Sequence, residues 1–247
     1  MRVLAIADVA DKRLWDMLDR RLLEGVELVL SCGDLPAEYL SFLTCFTRAP
    51  ILYVRGNHDD RYFKKPPEGC ECAEDRIINV GGVRVLGLGG SMRYRESECM
   101  FTEREMKARI RRLYWKLRKS GGFDILLTHA PALDFGDGDN LPHRGFQCFV
   151  DLMDKYHPQV MVHGHMHPEY AAATFRRELL HGETRIINAN QRVYFDVEPR
   201  GKIKPVYSFK LPAPKRLCRF SAGSSSRRSY LHVSVFPIVK RIFIIIH

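Results

Sequence analysis

Apolar residues recur through the first 200 positions in short blocks whose internal spacing sets the expected elements. Residues 2–6, 27–30 and 50–54 are β-branched or Leu-rich runs that read as strands, and the stretches 13–23 and 36–46 between them carry apolar side chains at helical spacing. Residues 76–80 and 83–88 flank Gly81-Gly82, a hairpin signal. A charged helix is predicted over 102–119, its Met and aromatic positions forming a core-facing stripe. It is followed by a strand at 124–128, a helix near 146–156, a strand at 159–162 and further strands at 184–188 and 192–197. This alternation of strand and helix predicts an α/β fold over residues 1–200.

Beyond residue 200 the periodicity fades into clusters of Pro, Ser, Gly and Arg, so 201–247 is expected to be a basic, disordered or irregular tail outside the domain. The last apolar segment, from Ser234, is interrupted by Lys240 and Arg241 and is too short to span a bilayer. Charge follows the same division. The chain carries 39 basic and 29 acidic residues, but eleven of the basic ones and none of the acidic ones fall in 200–247, leaving 28 against 29 before them. The net charge of +10 therefore belongs to the tail, and nucleic acid is not an expected partner of the near-neutral domain. Seven scattered cysteines and an N-terminus without a cleavage pattern predict reduced thiols and a cytoplasmic location. Cys70-Glu71-Cys72 lacks a second pair at zinc-ribbon spacing and reads as an ordinary loop.

Polar residues with catalytic chemistry stand where the predicted strands end: Asp8, Asp34, Asn57, His129 and His165. In open α/β sheets ligands bind beyond the carboxyl ends of the strands. Gly56-Asn57-His58-Asp59 is the most specific local signal, because it presents an oxygen ligand, a proton donor and a carboxylate together after a Gly that frees the turn. In His163-Gly164-His165-Met166-His167, alternate residues of an extended segment share a direction, so His165 and His167 can address one site, and paired imidazoles suit Zn, Mn, Fe or Ni. His163 reads as structural. Singly, Asp8 and Asp34 also read as helix N-caps, Asn57 as a turn residue and His129 as a hydrogen-bonded loop histidine.

Taken in order, Asp8, Gly33-Asp34, Gly56-Asn57-His58-Asp59, Thr128-His129-Ala130-Pro131 and Gly164-His165-Met166-His167 resemble the calcineurin-like metallophosphoesterase family over residues 1 to about 198. The resemblance implies a four-layer α/β/β/α sandwich with a dinuclear centre. Asp34 would bridge two metals, Asn57, His129 and His165 would complete one site, and Asp8 and His167 would serve the other. His58 would be the general acid, with Asp59 helping to orient it. The implied cofactor is one or two divalent transition ions, Mn first, with Fe, Zn or Ni as alternatives. The implied reaction is hydrolysis of a phosphomonoester or phosphodiester, in a small molecule or nucleotide, by metal-activated water.

The chain departs from the family's Asp-x-His motif at Asp8-Val9-Ala10, since alanine cannot ligate a metal. The first site is therefore expected to be weaker, its vacancy filled by water or by Asp11. Arg93 and Arg95, after Gly89-Gly90, and His143 and Arg144, after His129, are candidate phosphate contacts on the strength of guanidinium chemistry. The competing function is a catalytically weak or inactive member that serves as a binding scaffold. Loss of the motif His favours it, and retention of His58 favours an enzyme.

Overall fold

A computed structural model describes residues 1–170 and 175–201, of Tyr170 the backbone alone. The expected tail lies outside the described residues from 202 onward. In chain order the strands are β1 (Arg2–Ile6), β2 (Leu28–Ser31), β3 (Ile51–Tyr53), β4 (Glu71–Cys72), β5 (Arg76–Val80), β6 (Val83–Leu88) and β7 (Ser91–Met92), then β8 (Met100–Phe101), β9 (Ile125–Thr128), β10 (Val160–His163), β11 (Glu178–His181), β12 (Thr184–Asn188) and β13 (Val193–Asp196). The α-helices are α1 (Ala37–Thr44), α2 (Glu103–Arg112), α3 (Tyr114–Ser120) and α4 (Gln147–Tyr156).

Two sheets face one another. One has the order β13-β1-β2-β3-β4, the other β11-β12-β10-β9-β6-β5, and β7 pairs with β8 in a separate ribbon. β1, β2 and β3 run parallel, as do β6, β9, β10 and β12, so the ends of the central strands gather on one side of each sheet. Strand alternation divides the apolar residues among three cores. Val3, Ala5, Leu28, Leu30 and Leu52 meet Val85, Ile125, Leu127 and Val162 between the sheets. Leu4, Ile6, Val29 and Ile51 turn outward onto Tyr39, Leu40 and Leu43 of α1. Leu86, Leu126 and Met161 turn the opposite way onto Met106, Leu117, Phe149 and Leu152 of α2, α3 and α4. The result is the expected α/β/β/α layering.

Local chemistry corrects two predicted helices. Residues 13–23 form two short 3-10 turns, Lys12–Leu14 and Arg20–Leu23. Asp11 and Asp19 accept hydrogen bonds from the backbone N–H groups of Arg13 and Arg21, and Asp19 also binds both guanidinium groups; these local bonds displace the helical ladder. The helix predicted over 102–119 starts as expected, with a capping box in which Glu105 binds the Thr102 N–H and Thr102 Oγ1 accepts from the Glu105 N–H. It is divided at the buried Leu113, with Met106 before the break and Leu117 after it both packed on the same sheet. The two-residue strands β4, β7 and β8 are too short for periodicity to declare them, and β11 has no predicted counterpart.

Arg84, 6% exposed, is held by the fully buried Asp124 through paired bonds of 2.8 and 2.9 Å, and its remaining nitrogen donates to the carbonyls of Ser120 and Gly121. The pair ties β6 to the start of β9. Asp124→Ala strands a buried guanidinium and is expected to lower unfolding stability by about 3–5 kcal/mol in urea titration. A change below about 1 kcal/mol would show that the pair is not needed.

Candidate metal centre

Asp8 follows β1, Asp34 follows β2 after Cys32-Gly33, and Asn57 and His58 follow β3, while His129 follows β9 and His165 and His167 follow β10. The two facing sheets thus deliver carboxylates and an amide from one side and imidazoles from the other. Ligand atoms of Asp34, His129 and His165 all lie within 4.8 Å of one another. Asn57 Oδ1 is 2.8 Å from His129 Nε2, which is itself 3.3 Å from Asp34 Oδ2. These four residues are the set expected for one metal. Asp8 and His167 stand beside them: Asp8 accepts the His165 N–H at 2.9 Å and feels the charges of His129, Asp34 and His167.

Backbone geometry excludes the helix-cap readings. Asp8, Asp34 and His165 have φ of 63°, 57° and 66°, in the left-handed region, and Pro36 rather than Asp34 precedes α1. Three non-glycine residues in that region at one place mark a site whose side chains are aimed at some backbone strain. The approach of the loops needs glycine twice. A Cβ on Gly56 would lie 2.1 Å from Asp34 Oδ1, and one on Gly164 would lie 2.8 Å from Asp8 Oδ2.

The imidazoles are oriented by carbonyls that sequence alone does not reveal. His129 Nδ1 is 2.8 Å from the Cys32 carbonyl and His165 Nε2 is 2.8 Å from the Pro142 carbonyl. Each nitrogen must donate there, so the opposite nitrogen of the neutral ring offers a lone pair to the centre. Burial and the neighbouring His129 push the His165 pKa down to about 3, which keeps that lone pair available. His129 goes the other way. Burial disfavours its charged form, but Asp34 and Asp8 outweigh it and raise its pKa to about 9. Burial likewise opposes ionisation of Asp34, yet His129 and the His58 N–H hold its carboxyl well below the usual range. A field that retains a proton on a wholly buried imidazole is one that favours a cation. Two carboxylates, an amide oxygen and imidazoles with outward N–H groups anchored fit a divalent transition ion.

The other predicted residues divide. Asp59, 3% exposed, uses Oδ2 to accept both the Asp34 N–H at 2.7 Å and the Gly56 N–H at 2.8 Å. It clasps the two loops together, and neither of these bonds goes to the His58 ring it was expected to orient. Burial and the charge of Asp34 raise its pKa to about 6. His58 is exposed, its N–H bound to Asp34 Oδ1, and Arg95 reaches to 3.5 Å from its Nδ1. Arg93 instead binds the Met100 carbonyl and Glu105. The His143 ring lies 5.4 Å from that of His165 and donates from Nδ1 to Asn140, whereas Arg144 is exposed. The 141–145 segment therefore serves the centre through the Pro142 carbonyl, a role no guanidinium pattern could announce. His163 is buried, bound to its neighbour's carbonyl and structural, as expected. Asp11, expected to fill the place of the missing imidazole, caps the Arg13 N–H through Oδ1, while its Oδ2, buried without a hydrogen bond, faces Arg192 in an ion pair.

Gly56→Ala should cost about tenfold or more in Mn²⁺ affinity while the protein remains folded, because the new methyl must displace the Asp34 carboxylate. Mn²⁺ titration with circular dichroism on the same sample checks both, and unchanged affinity would refute the close-approach argument.

Comparisons with known proteins bear on the fold and the family. No curated protein matches the chain. Among solved structures, TT1561 of Thermus thermophilus superposes with a TM-score of 0.55 at 15% identity, covering 77% of this chain and 89% of that one. A predicted phosphoesterase from Streptococcus pneumoniae (TM-score 0.36, 13% identity, 79% and 83% covered) and Vps29 of Chaetomium thermophilum (0.37, 14%, 80% and 82%) also align. At 15% identity the likeness to TT1561 speaks to fold alone, and the other two, with TM-scores below 0.5, carry no argument. Among the described residues no helix is long and apolar enough to cross a membrane. The family model of the calcineurin-like phosphoesterases matches residues 1–169, which span all the expected ligands, and the chain belongs to that family.

Proposed function

We propose that the protein hydrolyses a phosphate ester of a small molecule or nucleotide at a centre held by Asp34, Asn57, His129 and His165, with Asp8 and His167 serving a second, weaker position. The observation that carries the reading is the convergence of Asp34, His129 and His165 within 4.8 Å on strained, carbonyl-anchored loops, with the exposed His58 beside them. Divalent ions bound there, Mn²⁺ first and Fe, Zn or Ni as alternatives, would supply charge neutralisation and a nucleophile of lowered pKa.

His58 is anchored by its backbone to the Asp34 carboxylate, so its position is fixed relative to the centre while its ring stays open to a ligand. Arg95, which can only donate, reaches toward Nδ1, which leaves Nε2 as the nitrogen that would hand a proton to a leaving oxygen. Arg95 is exposed and adjacent, suited to grip a phosphoryl oxygen. Asp59 acts one step back, by keeping the Asp34 and Gly56 loops in register. Arg93, His143 and Arg144 remain candidate contacts of lower rank, since Arg93 is already engaged by protein groups.

Hydrolysis of bis-p-nitrophenyl phosphate, p-nitrophenyl phosphate and nucleotides with added Mn²⁺ tests the reading. Asp34→Ala is expected to abolish turnover, and His58→Ala to lower kcat by about 10²–10⁴-fold with metal binding intact. Activity with none of these substrates, or equal activity in all three proteins, would overturn catalysis and leave the scaffold reading favoured by Ala10. Arg95→Ala should raise KM about tenfold or more, in keeping with loss of one charge-assisted bond. An unchanged KM would remove Arg95 from the substrate site.

A further inference from the structure

The centre is short of one ligand. Asp8 and His167 would flank a position from which Ala10 withholds the imidazole its motif would supply, and the Asp11 carboxylate is taken up by the Arg13 N–H and the ion pair with Arg192. One further polar side chain nearby has a buried atom with neither a hydrogen bond nor an ion pair. Asn190 is 7% exposed, and its side-chain Nδ2 is buried without a hydrogen-bond partner. The main chain around it is satisfied: its N–H donates to Asn188 Oδ1 at 2.8 Å and its carbonyl accepts from Arg177 at 3.1 Å. A buried amide left unpaired costs about 1–3 kcal/mol, so a fixed backbone that presents one calls for a ligand.

Its direction follows from pairing. Asn190 forms a parallel bridge with Ala7, strengthened by the Gln191 N–H donating to the Ala7 carbonyl at 2.9 Å. Residues bridged in parallel project to the same face of a sheet. Ala7 faces the interior between the sheets, and a Cβ added to Gly164 would meet both Ala7 Cβ and Asp8 Oδ2, at 2.7 and 2.8 Å. The Asn190 side chain therefore leaves the backbone on the face that Ala7 presents toward Gly164 and the Asp8 loop. Asn188 fixes that turn from the other sheet by donating from Nδ2 to the Met166 carbonyl, between His165 and His167. Rotation of an amide about its last torsion exchanges Oδ1 for Nδ2 at one position.

We infer that Asn190 is a ligand of the first metal position, its amide oxygen taking the place of the imidazole missing at residue 10. This rests on the metallophosphoesterase reading. Replacing an imidazole by an amide oxygen beside Asp8 makes the position richer in oxygen, which suits Mn²⁺ or Mg²⁺ over Zn²⁺.

Mn²⁺ titration of the metal-free full chain, with the electron paramagnetic resonance signal of free Mn²⁺ counting bound ions, tests it. The wild type is expected to bind in two steps of unequal affinity. Asn190→Ala should weaken the second step about tenfold or more and leave the first intact, the intact step also showing that the variant is folded. Asn190→Asp should tighten the second step about tenfold and give a larger Mn²⁺-induced rise in Tm than the wild type. A purely structural amide predicts the reverse for that variant, since a buried carboxylate with no cation destabilises the chain. Two steps unaltered in Asn190→Ala, a single step in the wild type, or no tightening in Asn190→Asp overturns the inference while the metal centre stands. Absence of any Mn²⁺ binding in the wild type overturns the centre itself.

Discussion

The carboxylate of Asp59 holds this site in shape. One oxygen receives the Asp34 N–H and the Gly56 N–H, so the loop after β2 and the loop after β3 are fastened to each other before any metal arrives. Asp34 would otherwise be free to relax out of its left-handed conformation, and with it would go the His58 N–H that binds its Oδ1. A buried charge of this kind is tolerated because two backbone donors converge on it.

Around that clasp the site is organised for a cation. Asp8 and Asp34 bring negative charge into a buried setting, and the field they create holds a proton on His129 against the effect of burial. His165, 4.9 Å away ring to ring, is kept neutral first by its burial and then by the nearby His129. One imidazole carries the positive charge that the field favours while the other keeps its lone pair, and a bound divalent ion would satisfy both at once. The strained backbone at Asp8, Asp34 and His165 is what such preorganisation looks like in main-chain terms.

Much of this was legible in the sequence for a simple reason: a parallel strand flanked by polar residues announces both itself and the place where its ligand sits. The strands at 2–6, 76–80, 83–88 and 184–188 have the predicted bounds, and Asp8, Asp34, His129 and His165 stand just beyond the ends of β1, β2, β9 and β10. Periodicity failed where side chains outbid it. Asp11 and Asp19 turn the stretch 12–23 into capped 3-10 turns, a competition between carboxylate and backbone that hydrophobic spacing does not register. Main-chain partners were equally hidden. Neither the Cys32 nor the Pro142 carbonyl has a residue type that foretells its role, and the Arg93 guanidinium was drawn to Met100 and Glu105 by a ribbon too short to predict. Asn190 carries no motif at all; only its unpaired amide in the folded chain distinguishes it.

The interior between the sheets is therefore part of the site. Toward the amino ends of the strands it is filled by Val3, Leu28, Val85 and Val160, which hold the sheets at ordinary separation. At the carboxyl ends it narrows to Ala7, Cys32, Ala189 and Gly164, and there bonds begin to pass directly from one sheet to the other. The His165 N–H reaches Asp8, His129 reaches the Cys32 carbonyl, and the Gln191 N–H reaches the Ala7 carbonyl as the chain leaves β12 for β13. Large side chains at these positions would keep the carboxylates of one sheet and the imidazoles of the other apart, each half satisfied by its own loops and neither able to share an ion. The taper of the core is thus the condition under which two separate sheets make one centre.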